Sequence, residues 1–263
     1  MSHRSDFVDR HIGPNQYQIQ TMLLELGFKD LDSFIKSVVP SNIHIKGEIE
    51  KSLPIGISED DALAEIKEIA SQNKVMRNFI GAGYYGTITP NVILRNVLEN
   101  PGWYTAYTPY QPEISQGRLE AIFAFQTAIT DLTGLAIANA SMLDEATAAA
   151  EAMTLARRVW QGSDDAAIVI DSNLHPHVKS VVETRAKPLK IKVIESDFKS
   201  EVDAEIFAAI IAYPNSTGEV KNIKPIIEKI QSRNALAIVD CDLLALTLFK
   251  SPGECGADIA IGS

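Results

Sequence analysis

The sequence predicts an α/β fold: a mainly parallel sheet with helices on both faces, incomplete at its carboxyl end and preceded by a small helical segment. Three observations lead there. From about residue 135 onward, short apolar runs alternate with helical patterns, the alternation that builds parallel sheets through helical crossovers. Runs such as "FAAIIAY" and "ALAIVD" are apolar throughout rather than at every second residue, as strands buried on both faces require. A chain of 263 residues with 46% hydrophobic and 22% charged residues also has enough apolar material for a sizeable core.

The elements follow in order. In "GPNQYQIQTMLLELGF", Ile19, Met22, Leu23 and Leu26 recur at helical spacing. Pro14 suits the first turn of that helix and Gly27 its stop. A second short helix, "LDSFIKSVV", ends at Pro40. Ser58, followed by Glu59, Asp60 and Asp61, offers an N-cap with acids in the first turn of a helix ending near Asn73. Thr89 and Pro90 stand as cap and first residue of the helix "NVILRNVLEN". Leu119, Ile122, Phe123, Phe125, Ile129 and Leu132 mark one long helix closed by Gly134. Beyond it, "LAIANA", "AAIVID", "KIKVIE", "FAAIIAY" and "ALAIVD" read as strands, and "GADIAIGS" as a turn entering a further one. Helices are expected at 143–161, 176–185 and 223–233. This divides the chain into a helical lead-in (1–57), helices with aromatic and glycine loops (58–134) and an alternating β/α domain (135–263) that stops before its last layer.

Charge and cysteine content exclude several roles. A formal charge of −10 leaves no surplus of cations for following a phosphate backbone, so nucleic acid is not an expected partner. No apolar run reaches the length of a bilayer span, and the start lacks the charged-then-apolar order of a secretory signal. Only Cys241 and Cys255 are present, too few for a disulfide framework and remote from any Cys/His cluster that would hold a metal. A cytoplasmic location without membrane contact is expected.

In a parallel sheet the residues just beyond the strand ends are the candidates for function. After "LAIANA", Ser141 heads a helix with Asp144 and Glu145 in its first turn. A helix start is a potential anion site, but two acids already occupy its field, which favours a capped structural helix with an alanine-rich packing face. In "VIDSNLHPHVK", His175 and His177 flank Pro176. Their i, i+2 spacing does not share a helix face, so joint metal ligation is poor. His175 either stacks on an aromatic ligand or caps and solvates the loop. "AYPNSTGEV" supplies hydroxyls and amides that turn chemistry alone explains. Asp240 closes a run of apolar strand residues, and an acid there needs a cationic or hydrogen-bonding partner. A protonated ring nitrogen, an arginine or a helix start would each serve.

The segment "GYYGT…WYTAYTPYQPE" is rich in tyrosine and glycine. Tyrosines pair an apolar ring with a hydroxyl, which suits surfaces covered by a partner. Tyr84, Tyr85, Tyr107 and the adjoining Thr105 and Thr108 are the candidates for an interface or an active-site mouth.

Several stretches together carry a family resemblance: "RHIGP", "FIGAGYYGTITPNVILRNVLENPGWYTAYTPYQPEISQGRLEA" and "SMLDEATAAAEAM". Over essentially its whole length the chain resembles the amino-terminal half of glycine decarboxylase, the pyridoxal-phosphate-dependent P-protein of the glycine cleavage system. The resemblance implies a fold-type-I transferase-like large domain, one of two homologous halves that are fused or separate. It implies a soluble oligomer that decarboxylates glycine and passes the aminomethyl group to the lipoyl arm of H-protein. Pyridoxal 5'-phosphate would be held by a lysine of the homologous cofactor-bearing half, not by this chain. His175 and Asp240 occupy the places of the ring-stacking histidine and the pyridinium-binding aspartate, as vestigial equivalents. The cofactor lysine would fall a few residues beyond Ser263, and Lys250 follows Asp240 too closely to replace it. No catalytic residue and no metal ligand is expected in this chain. The alternatives are a purely structural half, or another fold-type-I enzyme such as an aminotransferase or a different amino-acid decarboxylase.

Overall fold

In the computed structural model the chain divides into two units, Met1–Asn78 and Phe79–Ser263. The structure describes residues 11, 13–45, 53–54, 56–81, 86–104 and 117–263.

The first unit contains helices set by their caps. Helix α1 (Gln16–Glu25) starts at Asn15, whose side chain accepts the Gln18 N–H at 3.0 Å while the Gln18 side chain accepts the Asn15 N–H at 2.9 Å. This reciprocal capping box satisfies amides that the helix start leaves unpaired. Pro14 therefore precedes the cap instead of lying in the first turn. Helix α2 (Leu31–Val38) is capped by Asp30, which accepts the Ser33 N–H at 2.7 Å. The Phe28 and Phe34 rings meet edge to face at 5.2 Å and fix the turn between these helices. Helix α3 (Glu59–Ser71) has Ser58 as its cap, as its sequence predicts.

In the second unit, α4 (Asn91–Ile93) continues directly into a π-helical turn, Leu94–Leu98. Its cap is Pro90 and not Thr89. Helix α5 (Arg118–Thr133) ends at Gly134, whose φ of +71° only glycine adopts without strain. Residues 135–140, expected as a strand, form none. With Ile137 as its single β-branched residue the segment has little strand preference, and the Ala138 carbonyl accepts the Gln126 side-chain amide at 2.6 Å rather than a neighbouring strand.

The remaining elements form a layered α/β domain: α6 (Glu145–Val159), β1 (Ala167–Asp171), α7 (Pro176–Ala186), β2 (Val193–Ser196), β3 (Ile206–Tyr213), α8 (Ile223–Gln231), β4 (Leu236–Cys241) and β5 (Ile259–Ile261). The five strands lie in the order β2-β1-β3-β4-β5 and every pairing is parallel. Strand β2 begins three residues later than its apolar run because Lys190, at φ +56°, is still closing the turn after α7.

Both faces of the sheet are covered. Ile168, Ile170, Phe207, Ile210 and Ile238 face the side packed by α6 and α7, where Ala149, Met153, Ala156, Val178 and Val182 are wholly buried. Val169, Ala209, Ile211 and Val239 face α8 through Ile223, Ile227 and Ile230. Alternate residues of β1 thus supply opposite cores, which is why the strand is apolar at every position. The alanine-rich face of α6 lets that helix approach the strands closely. Both cysteines are free and buried.

Candidate functional site

The connection from β1 leads to β2 on one side, and β3 then returns to the other side of β1. At such a switch point an open sheet leaves a crevice beyond its strand ends. Here the crevice between β1 and β3 is filled. Asp171, the last residue of β1, is fully buried, and its carboxylate oxygens lie 2.9 and 2.7 Å from Lys221 Nζ. The same carboxylate accepts the Asn173 N–H at 3.0 Å and the Ala212 N–H at 3.4 Å. The Asn173 carbonyl accepts the Ser216 N–H at 2.9 Å and also the Ser216 hydroxyl. Every lone-pair direction of Asp171 is accounted for, as a buried carboxylate requires.

A second group of polar side chains forms where β4 ends and α6 and α7 begin. Asp144, predicted within the first turn of α6, is instead its cap: the carboxylate accepts the Thr147 N–H at 2.7 Å. That bond holds the Asp144 carboxyl below the usual carboxylate range. Glu145 follows as the first helical residue. Its Oε2 lies 3.3 Å from His177 Nε2, and its side chain is hydrogen-bonded to Asp240. Asp240 is buried, and its Oδ1 has no hydrogen-bond partner. Burial first, then the charge and hydrogen bond of Glu145, push the Asp240 carboxyl well above its ordinary range, so it retains a proton that an exposed aspartate would lose. The His175 and His177 rings stack at 5.6 Å with planes 21° apart, and the buried Nδ1 of His175 also lacks a partner. Neighbouring Cys241, under the same burial and the charges of Asp240, Asp242 and Glu145, has its thiol pushed up to about 12.

The structure therefore places both predicted residues, Asp240 and His175, at the ends of one chain of contacts running through Glu145 and His177. Of the cationic or hydrogen-bonding partners expected for Asp240, the one beside it is hydrogen-bonding, a second carboxyl group. The buried cation goes to Asp171 instead. Sequence reasoning passed over both Asp171 and Lys221, although an acid closing the apolar run "AIVID" was the signal available. Tyr84, Tyr85, Thr105, Tyr107 and Thr108 lie outside the described residues. Among the described residues no group of three or more His, Cys, Asp or Glu is placed to hold a metal ion, and no helix is long and apolar enough to cross a membrane.

These residues suit a phosphorylated pyridine cofactor at one point and oppose it at another. The unpartnered Asp240 Oδ1 would accept a proton from a ring nitrogen. The α6 start, where a phosphate would need free amides, is instead occupied by Asp144 and flanked by Glu145, and acids there repel a dianion. The two lysines described above this edge are engaged, Lys221 by Asp171 and Lys179 by Glu195 at 2.7 Å and the Ser172 carbonyl at 3.0 Å.

Comparison with known proteins gives a consistent result. A family model described as glycine cleavage system P-protein matches residues 9–263. A protein of Nostoc punctiforme named glycine dehydrogenase (decarboxylating) is 54% identical over 260 residues, covering 98% of this chain and 26% of its own length. One of Vibrio parahaemolyticus with the same name is 52% identical over 263 residues, 100% of this chain and 27% of its own. The chain thus spans about a quarter of the length of these curated relatives. Among solved structures, an inhibitor-bound glycine decarboxylase (P-protein) of the glycine cleavage system superposes with a TM-score of 0.80 and 32% identity, over 96% of this chain and 58% of that one. The fold is accordingly the large domain of fold-type-I pyridoxal-phosphate-dependent proteins.

Proposed function

We propose, because the chain belongs to the glycine cleavage system P-protein family, that it supplies part of the amino-terminal half of a glycine-decarboxylating enzyme and does not itself hold the cofactor. In the complete protein, pyridoxal 5'-phosphate on the homologous half supplies the electron sink for losing carbon dioxide from glycine, and the aminomethyl group passes to the lipoyl arm of H-protein. Glycine, H-protein and the cofactor-bearing half are the partners in this reading. The chain contributes structure, and through "GYYGT" and "WYTAYTPYQPE", with Tyr84, Tyr85, Thr105, Tyr107 and Thr108, part of the active-site mouth.

One observation supports the non-binding role above the others: the strand-end edge is acidic where a phosphate would have to sit. Asp144 takes an amide that would bind the anion, and Glu145, hydrogen-bonded to Asp240, adds a second acid. His175 and Asp240 remain as scaffold equivalents of cofactor-binding groups.

The test uses the 263-residue chain and pyridoxal 5'-phosphate. After mixing and gel filtration, no cofactor absorbance is expected to travel with the protein, while the complete enzyme retains it. A stoichiometric band surviving filtration on this chain would overturn the reading. In the complete enzyme, His175→Ala and Asp240→Asn are expected to leave cofactor content unchanged, whereas Tyr107→Phe and Thr108→Ala are expected to lower decarboxylation at unchanged cofactor content.

A further inference from the structure

Lys221 lies in the connection from β3 to α8, yet it is tied to the ends of three strands. Its Nζ bonds Asp171 at the end of β1, that carboxylate accepts the Ala212 amide of β3, and the Phe198 ring beyond β2 stands 5.8 Å from the Nζ. Only 10% of the Lys221 side chain is exposed. A buried ion pair of this kind rarely exceeds an apolar pair in stability, so its effect is to be sought in the geometry it imposes.

That geometry leads to the histidines. Asp171 fixes the Asn173 N–H, Ser216 fixes the Asn173 carbonyl, and the Leu174 N–H returns to the Asp171 carbonyl at 3.0 Å while the Leu174 side chain is buried. The next residue is His175, which begins α7 without any side-chain capping bond. Its carbonyl accepts the Lys179 N–H at 3.1 Å, which ties it to the helix on one side, and the strapped backbone before it fixes the other.

We propose that Lys221, acting through Asp171, is a positioning residue for the His175–His177 pair. Its hold on Asp171 sets the path of residues 171–175, and with it the stacking of the two rings and the reach of His177 to Glu145. The proposal does not depend on the enzyme reading, since a purely structural half would use the same strap.

Histidine ring signals (Cε1–Hε1) of the 263-residue chain, followed through a pH titration, test it. Asp171→Leu combined with Lys221→Met exchanges the ion pair for an apolar one and removes the acceptor of the Asn173 N–H. This double variant is expected to melt cooperatively while the ring signals and titration curves of both histidines move. Lys221→Arg, which keeps the charge, is expected to return them toward the parent. Ser216→Ala, at an exposed hydroxyl, is expected to shift the His175 signal with the fold intact. Unmoved signals in a folded double variant would overturn the proposal. If the double variant does not fold, an unmoved His175 signal in Ser216→Ala overturns it instead.

Discussion

His177 Nε2 lies 3.3 Å from Glu145 Oε2, joining the first turn of α7 to the first turn of α6. The Glu145 side chain is also hydrogen-bonded to Asp240 near the end of β4. One carboxyl group thus links two helix starts to a central strand. Because Glu145 and Asp240 are both acids, their contact persists only while a proton is shared between them.

The first prediction concerns that proton. The Asp240 carboxyl is raised well above its ordinary 3.8, so between that value and the raised one the folded chain binds a proton that the unfolded chain has released. Stability must fall as pH rises through this window, by about 1.4 kcal/mol for each tenfold change in proton affinity. Asp240→Asn keeps a donor toward Glu145 and removes the titration. Its stability relative to the parent is expected to grow from pH 4 upward and level off above the raised value. Urea melts at successive pH values check this; a difference that stays flat with pH refutes it.

A second prediction separates removing one partner of a buried pair from removing both. Lys221→Ala leaves Asp171 buried and unpaired, at a cost of about 3–5 kcal/mol. Asp171→Leu with Lys221→Met is expected to cost less, about 1–3 kcal/mol, because the desolvation penalty disappears with the charges and only the Asn173 and Ala212 amides are left without their acceptor. Comparison of the two melts decides it, since equal losses would show that the charges themselves do not matter.

The contrast between these groups explains what the sequence made legible. Strands β3 and β4 were readable because burial on both faces leaves an uninterrupted apolar run, and the Ser58 and Gly134 helix ends because capping is chemistry between near neighbours. The run 135–140 misled because a short apolar stretch with a single β-branched residue says little about pairing. Asp240 could be singled out as a costly acid, but its partner Glu145 belongs to another element, and nothing local specifies that meeting. Lys221 and Asp171 are likewise brought together only by the sheet. The spacing of His175 and His177 argued against a shared face, and that argument holds for residues inside one helix. His175 stands just outside α7, which frees its ring to stack on His177.

Cysteine chemistry gives a third prediction. Cys241 is buried and its thiol is pushed up to about 12, and Cys255 is buried with its thiol raised chiefly by burial. Since the thiolate is the nucleophile, neither is expected to react with iodoacetamide at pH 8 in the folded chain. Both should react fully in denaturant. Mass spectrometry distinguishes the two, and rapid labelling of Cys241 under native conditions would contradict the described packing.

The last prediction tests how closely the backbone after α5 approaches the segment before β5. Gly253 N donates to the Thr133 carbonyl at 2.8 Å, and a Cβ at residue 253 would stand 2.2 Å from the Gly134 carbonyl oxygen. That neighbour is backbone, fixed by the α5 carboxyl terminus, so it cannot swing aside as a side chain would. Gly253→Ala is therefore expected to cost about 1–3 kcal/mol, the range of overpacking, or roughly 2–12 °C in melting temperature for a domain of this size. Gly218→Ala provides the contrast: a Cβ there meets nothing within 4 Å, and only its φ of +80° opposes the change, a backbone cost of about 1–2 kcal/mol. A larger loss at residue 253 than at 218 supports the close approach of the two segments; the reverse order would show that they separate in solution.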